Sequence, residues 1–163
     1  MKDNIKIKGI VEEDFTQYRR PTMVVLFPTC TFKCDKENKC ELCQNAKLLQ
    51  EPDILVDPKT IVDRYMKNSI TEGFVFSGME PFDSTEDVYS LLANIRAVTD
   101  DVVVIYTGYT YSELIDRGDI KKLGKYKNII LKVGRFVPNI PARYDNVLGV
   151  TLSSDNQFAI QLT

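Results

Sequence analysis

The sequence centres on MVVLF at residues 23–27, which is followed directly by PTCTFKCDKENKCELC at residues 28–43. A continuous apolar run of this kind is typical of a β-strand that is covered on both faces, as in a parallel sheet. The segment after it contains the chain's four cysteines, Cys30, Cys34, Cys40 and Cys43. Because ligands bind at the carboxyl ends of parallel strands, we expect a thiolate cluster at one end of a sheet.

Length and composition narrow the class of protein and its compartment. The chain has 163 residues, which is enough for one domain with a buried core. Its longest apolar runs have five residues, too few to cross a membrane, and no export signal opens the sequence, so we expect a cytoplasmic protein. In a reducing compartment, closely spaced thiols are more often metal ligands or redox groups than disulfides.

Charge and the absence of histidine exclude several kinds of site. The net charge is −2 and both signs are mixed along the chain, so there is no basic stripe of the kind that binds nucleic acid. The absence of histidine excludes histidine-ligated zinc, a Ser-His-Asp triad and Cys-His catalysis. The chemistry must therefore come from thiolates, carboxylates, backbone groups or a cofactor.

Strand and helix patterns alternate along the chain, which predicts an α/β fold. Besides residues 23–27, we expect strands at residues 73–76, 102–106, 128–133, 147–152 and 157–162, and an edge strand at residues 5–11. One helix should begin at Pro58 after the N-cap Asp57, and another after Ser84, which resembles a capping box with Asp87. Because the chain is too short for eight βα units, we expect an incomplete (βα) barrel of about five to six mainly parallel strands, in a single domain over residues 1–163.

The unusual residues of the sequence come directly after the expected strands. They are the cysteines, SGMEP at residues 77–81, TGY at residues 107–109, Gly134, and SSDN at residues 153–156. The carboxyl ends of parallel strands share one edge of the sheet, so these five stretches should meet there. This convergence favours an active site over a peripheral metal site.

The four cysteines are compatible with more than one kind of metal centre. Four thiolates at tetrahedral geometry make a structural zinc site with no open position. Three thiolates on an iron–sulfur cluster leave one iron open for a small-molecule ligand. Four thiolates on a cluster would instead make an electron-transfer protein. The cysteine spacing alone leaves the zinc and cluster interpretations open.

The residues around the cysteines resemble those of the radical S-adenosylmethionine superfamily. CTFKC at residues 30–34 and ELCQN at residues 41–45 are similar to its C-x3-C-x2-C signature, with residues 35–40 inserted. FSGMEP at residues 76–81 resembles its G-G-E-P motif, with Met79 in place of the second glycine. Further on, YTGY, VGRF and SDNQ at residues 106–109, 133–136 and 154–157 resemble, in order and spacing, segments of the anaerobic ribonucleotide reductase activating family, which are glycyl-radical-enzyme activases.

The resemblance implies a ligand set for a [4Fe-4S] cluster. Cys30, Cys34 and Cys43 would bind it within a loop at residues 29–45, because the residues on both sides of the insertion match the family motif. A competing triple consists of Cys34, Cys40 and Cys43. The chain also departs from the family at Val133, which stands where an aspartate is usual.

The resemblance also implies that the open iron chelates S-adenosylmethionine. Gly78 and Met79 would bring the backbone close to the amino group of this ligand, since glycine permits close approach. Glu80 would accept a hydrogen bond from the same group. Tyr109 and Asn156 are further candidates for cofactor binding.

The function implied is that of a glycyl-radical-enzyme activase. Reductive cleavage of S-adenosylmethionine would give a 5′-deoxyadenosyl radical that abstracts hydrogen from a glycine of a large partner, the anaerobic ribonucleoside-triphosphate reductase. A flavodoxin- or ferredoxin-like protein would donate the electron, and neither nucleic acid nor a membrane is expected as a partner. The alternatives are a non-catalytic four-cysteine zinc module and an electron-transfer iron–sulfur protein.

Overall fold

The structure is a computed structural model that describes residues 2–31 and 46–163. Within these residues the strands are β1 (Ile5–Ile7), β2 (Gly9–Asp14), β3 (Thr22–Phe27), β4 (Ile54–Val56), β5 (Gly73–Gly78), β6 (Val102–Tyr106), β7 (Ile129–Val133), β8 (Arg143–Asp145), β9 (Val150–Leu152) and β10 (Phe158–Gln161). The α-helices are α1 (Pro58–Lys67), α2 (Thr85–Arg96), α3 (Tyr111–Asp116) and α4 (Asp119–Leu123). Short 3-10 helices lie at Ala46–Gln50 and Pro81–Ser84.

Six of the strands form one sheet in the order β10-β7-β6-β5-β3-β2. The four central strands are parallel to one another, and β2 and β10 run antiparallel at the two edges. The described strands do not close into a barrel, because β2 and β10 each pair on one side only. The predicted α/β fold with an incomplete barrel of mainly parallel strands is therefore confirmed.

The central sheet is buried on both faces, as the continuous apolar strands require. Side chains alternate between the faces, so Val25 and Phe27 of β3 pack on the helix side, whereas Val24 packs on the opposite side. The helix side holds the larger core, which includes Ile61 of α1 and Leu91 of α2. The opposite side, which we call the hairpin face, is covered by the β8–β9 segment through residues that include Leu148 and Leu152.

Both predicted helix starts are confirmed, but only one of them has a side-chain cap. Asp57 caps α1 by accepting a hydrogen bond from Lys59 N, and Pro58 occupies the first turn. Ser84 makes no side-chain cap at α2, so the predicted capping box is absent there. Asp87 instead accepts hydrogen bonds from Lys6 N and from the ammonium group of Lys2. Contacts with the β1 segment thus replace the local motif.

Two strand assignments differ from the sequence-based expectation. The strand expected at residues 147–152 is shorter, since only Val150–Leu152 is extended, and it pairs antiparallel with β8 outside the main sheet. The expected edge strand at residues 5–11 is divided, with β1 pairing with β4 and β2 forming the sheet edge. Among the described residues, none of the helices has the length and apolar character needed to span a bilayer.

Candidate functional site

One row of side chains crosses the sheet near the carboxyl ends of its parallel strands. Leu26 lies beside Ser77 in the β3–β5 register, and Tyr106 lies beside Lys132 in the β6–β7 register. Because Phe76 pairs with Ile105, Ser77 and Tyr106 are also neighbours. Leu26, Ser77, Tyr106 and Lys132 therefore share the hairpin face, one step beyond the apolar row that contains Val24.

A cavity of about 390 Å³ lies over this row. Its wall is formed by strand β9 and by the loops that follow the four parallel strands. The described residues that line it include Cys30, Ser77, Gly78, Met79, Glu80, Thr107, Gly108, Gly134, Ser153 and Gln157. The predicted convergence of the five stretches on one edge of the sheet is thus confirmed by residues from each of them.

Cys30 is the cysteine that the described residues place at this cavity. It is half-buried and lies on the cavity wall together with the turn at residues 77–80. Cys34, Cys40 and Cys43, and with them most of the predicted cluster loop at residues 29–45, lie outside the described residues. The choice between the two ligand triples therefore stays a prediction.

The turn after β5 is tied closely to the end of β3. Gly78 has a positive φ of 88°, and a Cβ at this position would lie 2.7 Å from Phe27 N and 2.9 Å from Leu26 Cα. Met79 N donates a hydrogen bond of 3.0 Å to Phe27 O. The close approach of β3 is therefore enough to require glycine at position 78. The Met79 amide already donates its hydrogen bond within the protein.

The carboxylate of Glu80 joins the ends of two neighbouring strands. Its Oε1 accepts hydrogen bonds from Phe82 N at 3.1 Å and Thr107 Oγ1 at 2.8 Å, and its Oε2 accepts one from Gly108 N at 2.7 Å. Burial raises the pKa of Glu80 to about 7, and these three hydrogen bonds oppose the rise. Glu80 lines the cavity and at the same time fixes its wall.

We expect Glu80→Gln to destabilise the protein, because a glutamine side chain has only one acceptor oxygen. Its amide NH₂ would face either Gly108 N or the donors of Phe82 and Thr107, and a buried donor without an acceptor costs about 1–3 kcal/mol. Urea unfolding of the anaerobic apo-protein measures this loss, with the exposed Glu86→Gln as the matched control. Equal stability of the two variants would mean that the hydrogen bonds of Glu80 contribute nothing measurable.

Tyr109 and Asn156 lie beside the cavity and are not among the described residues that line it. Tyr109 belongs to the core on the helix side and donates a hydrogen bond of 2.6 Å to Asp83 Oδ1. Burial raises the pKa of Tyr109, so its hydroxyl stays protonated as a donor. Asn156 donates to Arg135 O at 2.8 Å, which holds the loop after β7. In the described structure both side chains support the walls of the site.

The loop after β7 is also anchored by an ion pair. The guanidinium of Arg135 donates to both carboxylate oxygens of Glu113, at 2.6 and 3.0 Å. Hydrogen bonding to Arg135 lowers the pKa of Glu113 to about 2. Glu113 also completes a capping box with Thr110 at the start of α3. The pair therefore connects α3 to residues 134–136, of which Gly134 and Phe136 line the cavity.

This ion pair gives the stability of the protein an acid-sensitive component. The pKa of Glu113 is lower in the folded chain than its ordinary value of 4.5, so its contribution is complete above pH 4.5 and is lost as the pH falls towards about 2. We expect the stability difference between the parent protein and Glu113→Gln to shrink from pH 7 to pH 3 in urea unfolding. A difference independent of pH would contradict this.

Sequence reasoning missed Lys132 as a site residue. The residue is 8% exposed and lines the cavity, and its ammonium group lies 5.5 Å from the ring centre of Tyr106. Lys132 Nζ also donates to Gly134 O at 3.4 Å. The available signal was a lysine inside the apolar strand IILKV, two residues before a glycine. A buried cation on the floor of the cavity favours an anionic group on the ligand.

Comparison with known proteins identifies one family. A family model described as a 4Fe-4S single cluster domain matches residues 19–158, which is most of the chain. No curated protein and no solved structure matches the chain significantly. The match includes β3, all four cysteines and every strand that contributes to the cavity wall.

Proposed function

Because the chain belongs to the 4Fe-4S single cluster domain family, we propose that its cysteines bind a [4Fe-4S] cluster for the reductive cleavage of S-adenosylmethionine. Cys30, Cys34 and Cys43 would be the ligands. The observation that carries the proposal is the position of Cys30 on the wall of the same cavity as the turn at residues 77–80. Three cysteine ligands would leave one iron of the cluster open for a small-molecule ligand, and Cys30 would hold the cluster beside the cavity.

The described residues fit such a cofactor pair. A cavity of about 390 Å³ is within the usual size range of small-molecule sites. Leu26, Met79 and Phe136 give it apolar wall for an adenosine group, and Lys132 gives it a cation for a carboxylate. Glu80, the last residue of the turn at residues 77–80, adds an acidic side chain where an amino group would be bound.

The chain's own residues would bind and orient the ligand. When bound, the reduced cluster would supply one electron to the sulfonium, giving methionine and a 5′-deoxyadenosyl radical that takes a hydrogen atom from a glycine of the partner. Lys132 would fix the carboxylate end of the ligand, and the apolar wall would exclude water from the adenosine end. Glu80 would keep the loops after β5 and β6 at a fixed distance through its hydrogen bonds.

For the partner we propose a glycyl radical enzyme, specifically the anaerobic ribonucleoside-triphosphate reductase. This rests on residues 106–109, 133–136 and 154–157, which resemble, in order and spacing, segments of the anaerobic ribonucleotide reductase activating family. The open sheet supports it, since strands that do not close into a barrel leave room for a loop of another protein. The electron would come from a flavodoxin- or ferredoxin-like donor, with the cytoplasm as the compartment.

One anaerobic experiment tests the catalytic proposal. The protein is reconstituted with iron and sulfide, its visible spectrum is recorded, and 5′-deoxyadenosine is assayed after reduction and addition of S-adenosylmethionine. We expect a brown protein that releases 5′-deoxyadenosine. A colourless zinc protein would overturn the proposal, and a brown protein that releases none would indicate electron transfer only. Addition of the purified reductase then tests the partner, through a glycyl radical signal in electron paramagnetic resonance.

We expect Lys132→Met to weaken S-adenosylmethionine binding about tenfold or more, because a hydrogen bond to a charged group contributes about 1.5–3 kcal/mol. Iron content should be unchanged, since Lys132 lies on β7, which is separated by β6 and β5 from the strand that precedes Cys30. Equilibrium dialysis of the reconstituted protein measures the affinity. Lys127→Met, which removes an exposed lysine paired with Asp100, is the control. Equal affinity of the two variants would place the carboxylate of the ligand elsewhere.

A further inference from the structure

The pairing of β3 with β5 continues past the end of both strands. Met79 N donates to Phe27 O at 3.0 Å, and Glu80 N donates to Thr29 O at 2.8 Å. The chain is therefore still bound to the neighbouring segment at the residue just before Cys30. Backbone groups alone make these two contacts.

The next contact comes from a side chain. Thr31 N, one residue past Cys30, donates a hydrogen bond of 2.8 Å to Asp83 Oδ2. Cys30 is thus held on both sides, by a backbone bond at residue 29 and by the Asp83 carboxylate at residue 31. Asp83 is the last described anchor before the segment that carries the other three cysteines.

Asp83 is itself held from the opposite direction. Its Oδ1 accepts a hydrogen bond of 2.6 Å from the hydroxyl of Tyr109. The guanidinium of Arg117 lies 4.4 Å from the centre of the Tyr109 ring. Arg117 is fixed by hydrogen bonds of 2.7 Å to Asp119 Oδ2 and to Phe82 O. A continuous chain of contacts therefore connects the helix layer to the residue beside Cys30.

We propose that Asp83 is a positioning residue for the cluster, which it holds through Thr31 and Cys30. Outer partners of metal ligands fix ligand orientation and tune the bound metal. Asp83 does this in two ways. It fixes the backbone beside one ligand, and it places a negative charge next to that ligand, which favours the oxidised cluster. Tyr109, assigned above to the supporting wall, holds the carboxylate in place.

The inference deepens the proposed function and rests on one part of it, the binding of a cluster by Cys30. It does not depend on S-adenosylmethionine. A parent protein that takes up no iron would contradict the proposed function. A parent protein that takes up iron and releases no 5′-deoxyadenosine would contradict the catalytic proposal alone. Both results concern the parent protein, whereas the role of Asp83 is tested by differences between the parent protein and its variants.

The experiment compares four variants of the full chain, reconstituted anaerobically. Asp83→Ala removes both the anchor and the charge. Asp83→Asn keeps the shape and one acceptor but removes the charge, and Tyr109→Phe keeps the charge and removes one support. Glu86→Gln is the matched control, because it removes an exposed carboxylate from the same part of the chain, where it pairs with Lys2. The readouts are the midpoint potential, the electron paramagnetic resonance spectrum of the reduced cluster, and the rate of iron loss to a chelator.

We expect Asp83→Ala and Asp83→Asn to raise the midpoint potential, since both remove a negative charge. Tyr109→Phe should leave the potential nearly constant. Asp83→Ala should lose iron to the chelator roughly tenfold faster or more, as for other outer partners of metal ligands. Tyr109→Phe should show a smaller acceleration and an altered spectrum, while Glu86→Gln behaves as the parent.

A parent-like potential, spectrum and rate of iron loss in both Asp83 variants would overturn the proposal and leave Asp83 as a turn residue. Circular dichroism of each apo-protein shows whether it has folded. If Asp83→Ala does not fold, the potential, spectrum and rate of iron loss of Asp83→Asn and Tyr109→Phe test the proposal instead. Parent-like values in both of them overturn the proposal just as firmly.

Discussion

Replacement of Cys30 by serine is expected to abolish cluster assembly, whereas replacement of Cys40 by serine should leave the cluster and most of the cleavage activity intact. A [4Fe-4S] cluster with three protein ligands does not tolerate the loss of one thiolate, because a serine hydroxyl is a much harder and more weakly acidic ligand. Cys30 also has a fixed position on the cavity wall, with hydrogen bonds on both sides of it. Cys40 belongs to residues 35–40, which have no counterpart in the C-x3-C-x2-C signature that the flanking residues resemble.

Iron and sulfide content after anaerobic reconstitution measure the effect of each variant. Each of the two variants is the control for the other, because both replace a sulfur atom by oxygen within the same short segment. Loss of the cluster on replacement of Cys40 and retention on replacement of Cys30 would establish Cys34, Cys40 and Cys43 as the ligands. Loss in both variants would indicate a four-cysteine centre and would remove the open iron on which the catalytic proposal depends.

The four parallel strands of the main sheet could be predicted because the information for them is local. Runs such as residues 23–27 and 102–106 are apolar at every position, which is the pattern of strands covered on both faces. Alternation with helices then fixes a mainly parallel sheet and places the loops after its strands at one edge. The convergence of residues 77–80 and 107–108 on the cavity follows from that topology alone.

Other features could not be predicted because they depend on contacts between distant segments. Ser84 with Asp87 and Thr110 with Glu113 both have the spacing of a capping box, yet only the second pair forms one. Asp87 is engaged by residues of the N-terminal segment, which no local pattern reveals. The role of Lys132 likewise depends on the register that brings it beside Tyr106.

In the candidate site, too, the sequence indicates where a residue lies but not which contacts it makes. The sequence predicts that the turn at residues 77–80 lies at the edge of the sheet, and the structure places it on the cavity wall, but the sequence does not show which contacts its glycine and glutamate make. In the structure, Gly78 packs against the backbone of β3, and Glu80 bonds to the loop after β6. Tyr109 supports Asp83 through its hydroxyl. The position of this turn could therefore be predicted from the sequence, whereas the contacts of its side chains could not.

Replacement of Gly78 by alanine is expected to destabilise the protein by about 3 kcal/mol or more, which is the combined cost of backbone strain and overpacking. The φ of 88° at this position disfavours any side chain. The new Cβ would in addition lie 2.7 Å from Phe27 N, 2.9 Å from Leu26 Cα and 2.9 Å from Phe27 O. All three are backbone atoms of β3, so relief requires the strands to separate at the point where the cysteine segment leaves the sheet.

Gly118→Ala is the matched control for this prediction, because Gly118 also has a positive φ, of 81°, with no atom within 4 Å of its added Cβ. It should cost only about 1–2 kcal/mol, the strain of the left-handed backbone. Urea unfolding of both apo-proteins measures the difference, which isolates the contact with β3. Iron uptake should fall in Gly78→Ala and not in Gly118→Ala, because separation of the strands displaces Cys30. Equal costs in the two variants would show that backbone conformation, and not the approach of β3, makes glycine necessary at position 78.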